Sequence, residues 1–203
     1  MKDLAELVEL NRFVGREFLL WLWFESELYE TNLRPTNADA CALWLESELT
    51  LASEAEETRV KSSTPGLAPE AKQALRQGKL PKQTKLRLVW GELEYGWKMN
   101  ADTLAIASLK IPAQLKSQDD KYEALYERMR LTESLETILD ALYADFITLR
   151  LDVAWENVIV PQMRRWARGQ PVEEGKYAAA KAKLKRTKTS AKKGASLEGQ
   201  VAQ

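Results

Sequence analysis

Lys85-Leu86-Arg87-Leu88-Val89-Trp90-Gly91-Glu92-Leu93-Glu94-Tyr95-Gly96-Trp97-Lys98-Met99 is the stretch whose reading decides the fold class. Leu86, Leu88 and Trp90 alternate with Lys85, Arg87 and Val89, the two-residue period of a half-buried strand. Gly91-Glu92 permits a reversal into a second strand from Leu93 to Met99, and Leu104 to Leu109 supplies a third. Three consecutive strands with short connections predict an antiparallel β-meander.

Upstream of it, Cys41 to Leu51 alternates only in part, which predicts strands near 39–45 and 48–53, with a further short strand from Thr58 to Ser62. Pro65-Gly66 is a turn, and Pro69 suits the first turn of a helix running to about Gln77, with Gly78 as its stop. Residues 1–30 read as a helix capped by Asp3, with a dense apolar centre from Phe18 to Phe24. Apolar side chains around most of a helix require burial on more than one side. Glu17, Trp21 and Glu25 share one stripe of that helix, and the segment containing Pro35 ends it.

Downstream, Ile111-Pro112 closes the meander and Asp119-Asp120 opens a long helix. Tyr122, Leu125, Tyr126 and Met129 lie on one face of it, whereas Leu135, Ile138, Leu139 and Leu142 lie nearly opposite. Either the helix breaks and restarts at Thr132, or it is continuous, packing first against the sheet and then against another helix or subunit. Trp155, Val158, Ile159, Met163 and Trp166 continue helical spacing, with Pro161 as a kink or restart. Beyond Gly169 the pattern dissolves. Tyr177 to Arg186 is at most transiently helical, and Thr187 to Gln203 has too little apolar material to offset the entropy of ordering. The expected architecture is α+β: a small antiparallel meander packed with long helices over residues 1–169, then a Lys-rich, disordered tail over 170–203.

The chain has 203 residues, 45% of them hydrophobic, enough for one core. It contains no histidine, which removes the commonest general base and metal ligand, and its one cysteine, Cys41, excludes an internal disulfide and a thiolate cage. Neither a secretory leader nor a transmembrane run is read, so the cytoplasm is the expected compartment. The zero net charge hides a partition: 170–203 carries eight Lys/Arg against three Asp/Glu, leaving 22 against 27 in the body.

No glycine-rich phosphate loop occurs, and no cofactor or metal is expected. Glu46/Glu48, Glu92/Glu94 and Glu25/Glu27 are carboxylate pairs of the kind a Mg²⁺-dependent nuclease uses, but their spacing is common. Asp119-Asp120-Lys121 formally fits the end of a nuclease motif, but it lies at a predicted helix start, where acidic residues are favoured by the helix dipole, and capping is the expected role. Binding is therefore expected rather than catalysis. Arg76, Lys79, Lys82 and Lys85 cluster at the entry to the first meander strand, and Arg87 and Lys98 interleave with Trp90 and Trp97, an arrangement that suits phosphate backbones and equally an ordinary solvated sheet face. Lys181, Lys183, Lys185, Arg186, Lys188, Lys192 and Lys193 form a second basic segment that attracts polyanions or simply solubilises. Trp21, Trp23, Trp155 and Trp166 lie in apolar stripes, where core packing is expected.

Three stretches carry a resemblance to the recombination-associated protein RdgC and its short divergent relatives. They are Phe13 to Phe24, Ala74 to Pro81 leading into Lys85–Trp90, and Leu109-Lys110-Ile111-Pro112 followed by Glu133 to Leu142. RdgC is a ring-forming dimer that encircles duplex DNA without sequence preference and restrains RecA-driven recombination. The resemblance implies a non-catalytic, sequence-independent DNA-binding role, with duplex DNA and a second copy as partners and a nucleoid-associated location. This chain matches only the C-terminal part of that pattern, and its body is net acidic. The alternative is a protein-interaction or structural subunit that keeps the scaffold without binding DNA.

Overall fold

The computed structural model describes residues 4–29, 33–36, 38–112 and 121–182. Asp3, Asp119-Asp120 and residues 183–203, with the roles read for them above, lie outside the described residues. The elements run α1 (Leu4–Tyr29), β1 (Ala42–Ala52), β2 (Glu57–Lys61), a 3₁₀ turn (Pro65–Leu67), α2 (Pro69–Arg76), β3 (Leu80–Trp90), β4 (Leu93–Asn100), β5 (Ile106–Lys110), α3 (Lys121–Leu151) and α4 (Val160–Ala167). The protein is α+β, with a five-stranded antiparallel sheet in the order β2-β1-β3-β4-β5.

The predicted meander is β3-β4-β5, and Gly91, at a φ of 59°, takes the left-handed conformation that its tight turn requires. The two strands expected near 39–45 and 48–53 are one strand, β1. Its pairing with β3 shifts between Glu46 and Leu49, and Ser47 sits at a φ of 64°, a bulge that resets the alternation without ending the strand. This is why the alternation in the sequence reads as broken there.

One face of the sheet is built from register-matched triples across β1, β3 and β4: Leu43, Leu88 and Tyr95; Leu45, Leu86 and Trp97; Leu49, Thr84 and Met99. All nine are buried, and α1 packs across β1 and β3 with Phe18, Leu19, Trp21, Leu22 and Phe24 buried. Gly15 of α1 faces the Ala101 carbonyl so closely that a Cβ has no room, and Arg16 makes a bidentate pair with Asp102. Within that block, Gly15 to Phe24 thus reads physically as the docking surface of α1 on the sheet and on the turn after β4.

The chain forms two compact units that divide within α3, after Tyr143. In the first, α3 is continuous through Thr132, with Leu131, Leu135, Ile138, Leu139 and Leu142 buried, and Tyr143 meets Phe18 edge-on at 5.1 Å. Its earlier stripe does not pack on the sheet as expected. Tyr122, Leu125, Tyr126 and Met129 are 71, 53, 67 and 50% exposed.

In the second unit, Phe146 packs edge-on against Trp155 at 5.5 Å. The expected break at Pro161 takes the form of a wide i→i+5 turn over Trp155–Ile159, in which the Val160 N–H donates to the Trp155 carbonyl. Widening the turn makes room for a ring that brings no N–H of its own. Residues 174–182 are helical and Tyr177 is fully buried, so the pattern continues past Gly169. Arg165 holds Glu173, and the Glu173 N–H donates to Gln162 Oε1 at 2.8 Å.

Candidate functional site

Along the outer face of the sheet, the pairing aligns Glu46 with Lys85 and Lys98, and Trp44 with Arg87. Of the six cations of the body expected to meet phosphate, Lys79, Lys82, Lys85, Arg87 and Lys98 each have a carboxylate at hand. Lys85 pairs with Glu46 at 3.1 Å and Lys82 with Glu57 at 3.0 Å. Lys98 shares Glu48 with Arg59 at 3.5 and 2.7 Å. Arg87 lies 3.4 Å from Glu94, and its guanidinium covers the Trp44 ring at 4.9 Å. Lys79 is buried, with its ammonium on Glu56 at 2.8 Å and donating to Thr58 at 2.9 Å. Arg76 is exposed in the last turn of α2.

Each exposed pair of this kind stabilises the fold by only about 0–1 kcal/mol. Electrostatically they matter more, because alternating charges a few ångströms apart cancel within a Debye length of about 8–10 Å. A phosphate backbone approaching this face meets carboxylates as often as cations. Although burial works against its charged form, Glu48 is held below the usual carboxylate range by the hydrogen bonds and charges of Arg59 and Lys98.

The aromatic component also changes. Trp97 is fully buried in the core face, so it offers no platform for a base, whereas Trp44, which sequence reasoning passed over, supplies the aromatic surface. The carboxylate pairs suggested for metal are occupied by cations: Glu46 and Glu48 as above, Glu94 by Arg87, and Glu27 by Lys72. Cys41 is buried, and desolvation pushes its thiol up to about 11, far from a reactive thiolate. In the second basic segment, the Lys181 ammonium lies 6.0 Å from the Tyr177 ring centroid. Lys183, Lys185, Arg186, Lys188, Lys192 and Lys193 lie outside the described residues.

A polar cluster joins α1 to α2. Glu27 accepts from Trp23 Nε1 and, at 2.7 Å, from the Lys72 ammonium, which sits 4.7 Å from the Trp23 ring centroid. Burial lowers Lys72 from its ordinary 10.5 to about 8, with Glu27 opposing the shift. The folded state then binds fewer protons than the unfolded state between about pH 8 and 10.5, so Lys72 makes stability rise with pH across that window. Relative to Lys72→Met, the wild-type chain should gain about 1–3 kcal/mol between pH 7 and pH 10 in urea unfolding. A gap that stays constant or narrows would show that Lys72 is charged at no cost.

The remaining unusual surface is the apolar stripe of α3. Nine large apolar side chains are exposed among the described residues, and four of them, Tyr122, Leu125, Tyr126 and Met129, fall within two turns of this helix. The spacing i, i+3, i+4, i+7 sets them on one face. Tyr126 lies near the middle of the stripe, with acidic Glu123 beside its N-terminal half and Glu127, Arg128 and Arg130 beside or just beyond its C-terminal half.

No family model, curated protein or solved structure matches this chain. No helix among the described residues is long and apolar enough to cross a membrane.

Proposed function

We propose that this chain is a non-catalytic interaction scaffold that pairs with a second copy of itself through the Tyr122, Leu125, Tyr126 and Met129 face of α3. The observation that carries this reading is the 50–71% exposure of four large apolar side chains on one helix face, since surface apolar residues on a monomer are normally scattered. A two-fold axis near Tyr126 sets two such helices antiparallel, bringing Tyr122 of one copy toward Met129 of the other and Glu123 toward Arg130. A parallel pair would instead align Glu123 with Glu123 and Arg130 with Arg130.

The same patch is used by both copies, as a closed dimer requires. Four half-exposed or better side chains provide roughly 450 Å² per copy, so the pair buries about 900 Å², below the standard size and in the range of weak, transient contacts. A weak, reversible dimer follows. Light scattering over a dilution series tests it: mass should fall toward the monomer on dilution, and a constant monomer mass at every concentration overturns it.

A second reading rests on the charge partition: RdgC-like, sequence-independent DNA binding confined to the basic tail. The ion-paired sheet face leaves residues 183–203, with six Lys/Arg and one Glu, as the cationic element. If all six contact phosphates, log K against log salt should have a slope of about −5. Ending the chain after Ala182 keeps the buried Tyr177 and should abolish duplex binding in a gel-shift series, while Lys85→Ala with Arg87→Ala should change it less than about twofold. Binding that survives the truncation, or that ignores salt, contradicts this reading.

A further inference from the structure

We propose that the outer edge of β2 is a docking site for an extended peptide of a partner protein, which adds to the sheet as a sixth strand. The Ser62 N–H donates to the Ser47 carbonyl at 3.2 Å, and the Ser53 N–H donates to the Glu56 carbonyl at 2.9 Å. In an antiparallel ladder the N–H and C=O of one residue point to the same side, and residues two apart repeat. Residues 56, 58, 60 and 62 therefore face β1, and the N–H and C=O groups of Glu57, Arg59 and Lys61 point away from the sheet.

The two edges of this sheet differ. On the β5 edge, the pairing with β4 shifts between Gly96 and Lys98 and Ser108 holds a φ of 53°, the kind of irregularity that turns an edge away from further pairing. The β2 edge has a regular register with β1 through all five of its residues. Beside it lies an open groove of about 610 Å³, lined by residues 58–62 on the strand side and by Leu67, Pro69 and Glu70 on the other. The far wall is fixed in place: Gly66 lies against the Trp23 indole so closely that a Cβ would come within 2.5 Å of Nε1. Leu67 nevertheless stays 65% exposed at the rim, where an apolar side chain of the incoming strand would cover it.

Charge and parity define the occupant. Lys61 is exposed at this edge beside Arg59, which holds Glu48 at 2.7 Å, and the opposite wall of the groove presents Leu67 and Pro69. A strand alternating carboxylate and apolar side chains places an acid beside Lys61 and its apolar groups over Leu67 and Pro69, as cross-strand neighbours do.

The probe is a fluorescein-labelled Glu-Val-Glu-Val-Glu-Val peptide, titrated with the full chain and followed by anisotropy. Saturable binding is expected below about 1 mM. The same peptide with alternate amides N-methylated, which removes its edge donors, should bind at least about tenfold more weakly, and Lys61→Glu should weaken the unmodified peptide about fivefold or more. Lys61 is exposed, so that variant keeps the fold, and the N-methyl comparison uses the wild-type chain. No saturable binding, or equal binding of the methylated and unmethylated peptides, overturns the proposal.

Discussion

Gly15→Ala is expected to lower stability by at least about 3 kcal/mol, beyond the usual range for one added methyl group. A Cβ at this position would lie inside van der Waals contact with the Ala101 carbonyl oxygen, 3.0 Å from its carbon and 3.3 Å from a methyl of Leu104. The wall that clashes, the Ala101 carbonyl, is backbone. The Ala101 N–H donates to the Lys82 carbonyl at 2.8 Å, which ties this turn to β3, and Arg16 clamps the neighbouring Asp102. Neither side relaxes by a rotamer change, so α1 must lift from the sheet and give up part of the packing of Phe18, Trp21 and Leu22. For a chain of this length the melting temperature should fall by roughly 6–12 °C in a circular-dichroism melt. A variant melting within about 2 °C of wild type would mean that α1 and this turn are not in contact.

Tyr126→Asp combined with Met129→Asp is expected to reduce self-association at least about 100-fold without altering the fold. The two positions are 67 and 50% exposed, so the monomer loses little beyond the helix propensity of two residues, about 1 kcal/mol in all. In the dimer the change at 126 buries a carboxylate at the two-fold axis against its own copy, and the change at 129 sets a second one opposite Tyr122 of the other copy. Unpaired charges there cost far more than the contact supplies. Light scattering at the concentration where the wild-type chain is dimeric should report a monomer, with an unchanged far-ultraviolet spectrum. A variant that dimerises like wild type would remove the α3 face from the interface.

The fold was legible where a local period carries it. The alternation from Lys85 to Trp90 gave β3, Pro69 and Gly78 bracketed α2, and the apolar girdle from Phe18 to Phe24 marked a helix buried on several sides. Misreadings came from features without a local period. A single residue in the left-handed region, Ser47, made one strand look like two. One aromatic in an Ala- and Lys-rich stretch, Tyr177, anchors the 174–182 helix with no stripe to announce it.

The candidate site was less legible, because its character is set by register between segments far apart in the chain. Lys82 and Lys85 look like a basic cluster when counted with their sequence neighbours. Their actual neighbours are Glu57 and Glu46, on strands that the sequence does not align for the reader. The change of face along the 121–151 helix, by contrast, was visible in the sequence, and it is the feature on which the proposed interface rests.

The most direct test of that interface is disulfide trapping. A Tyr126→Cys chain, oxidised at micromolar concentration, should form a covalent dimer on a non-reducing gel. The two-fold axis places residue 126 beside its own copy, within the 4.4–6.8 Å Cα separation that a disulfide allows, given helix axes about 8–10 Å apart. The native Cys41, buried and with its thiol raised to about 11, should not compete. Glu136→Cys is the control: it is exposed on the same face of the helix, but an antiparallel pair centred at 126 sets the two copies of residue 136 about 30 Å apart. Self-pairing through α3 predicts rapid trapping at 126 and little at 136. Equal rates at the two positions, or none at 126, would contradict it.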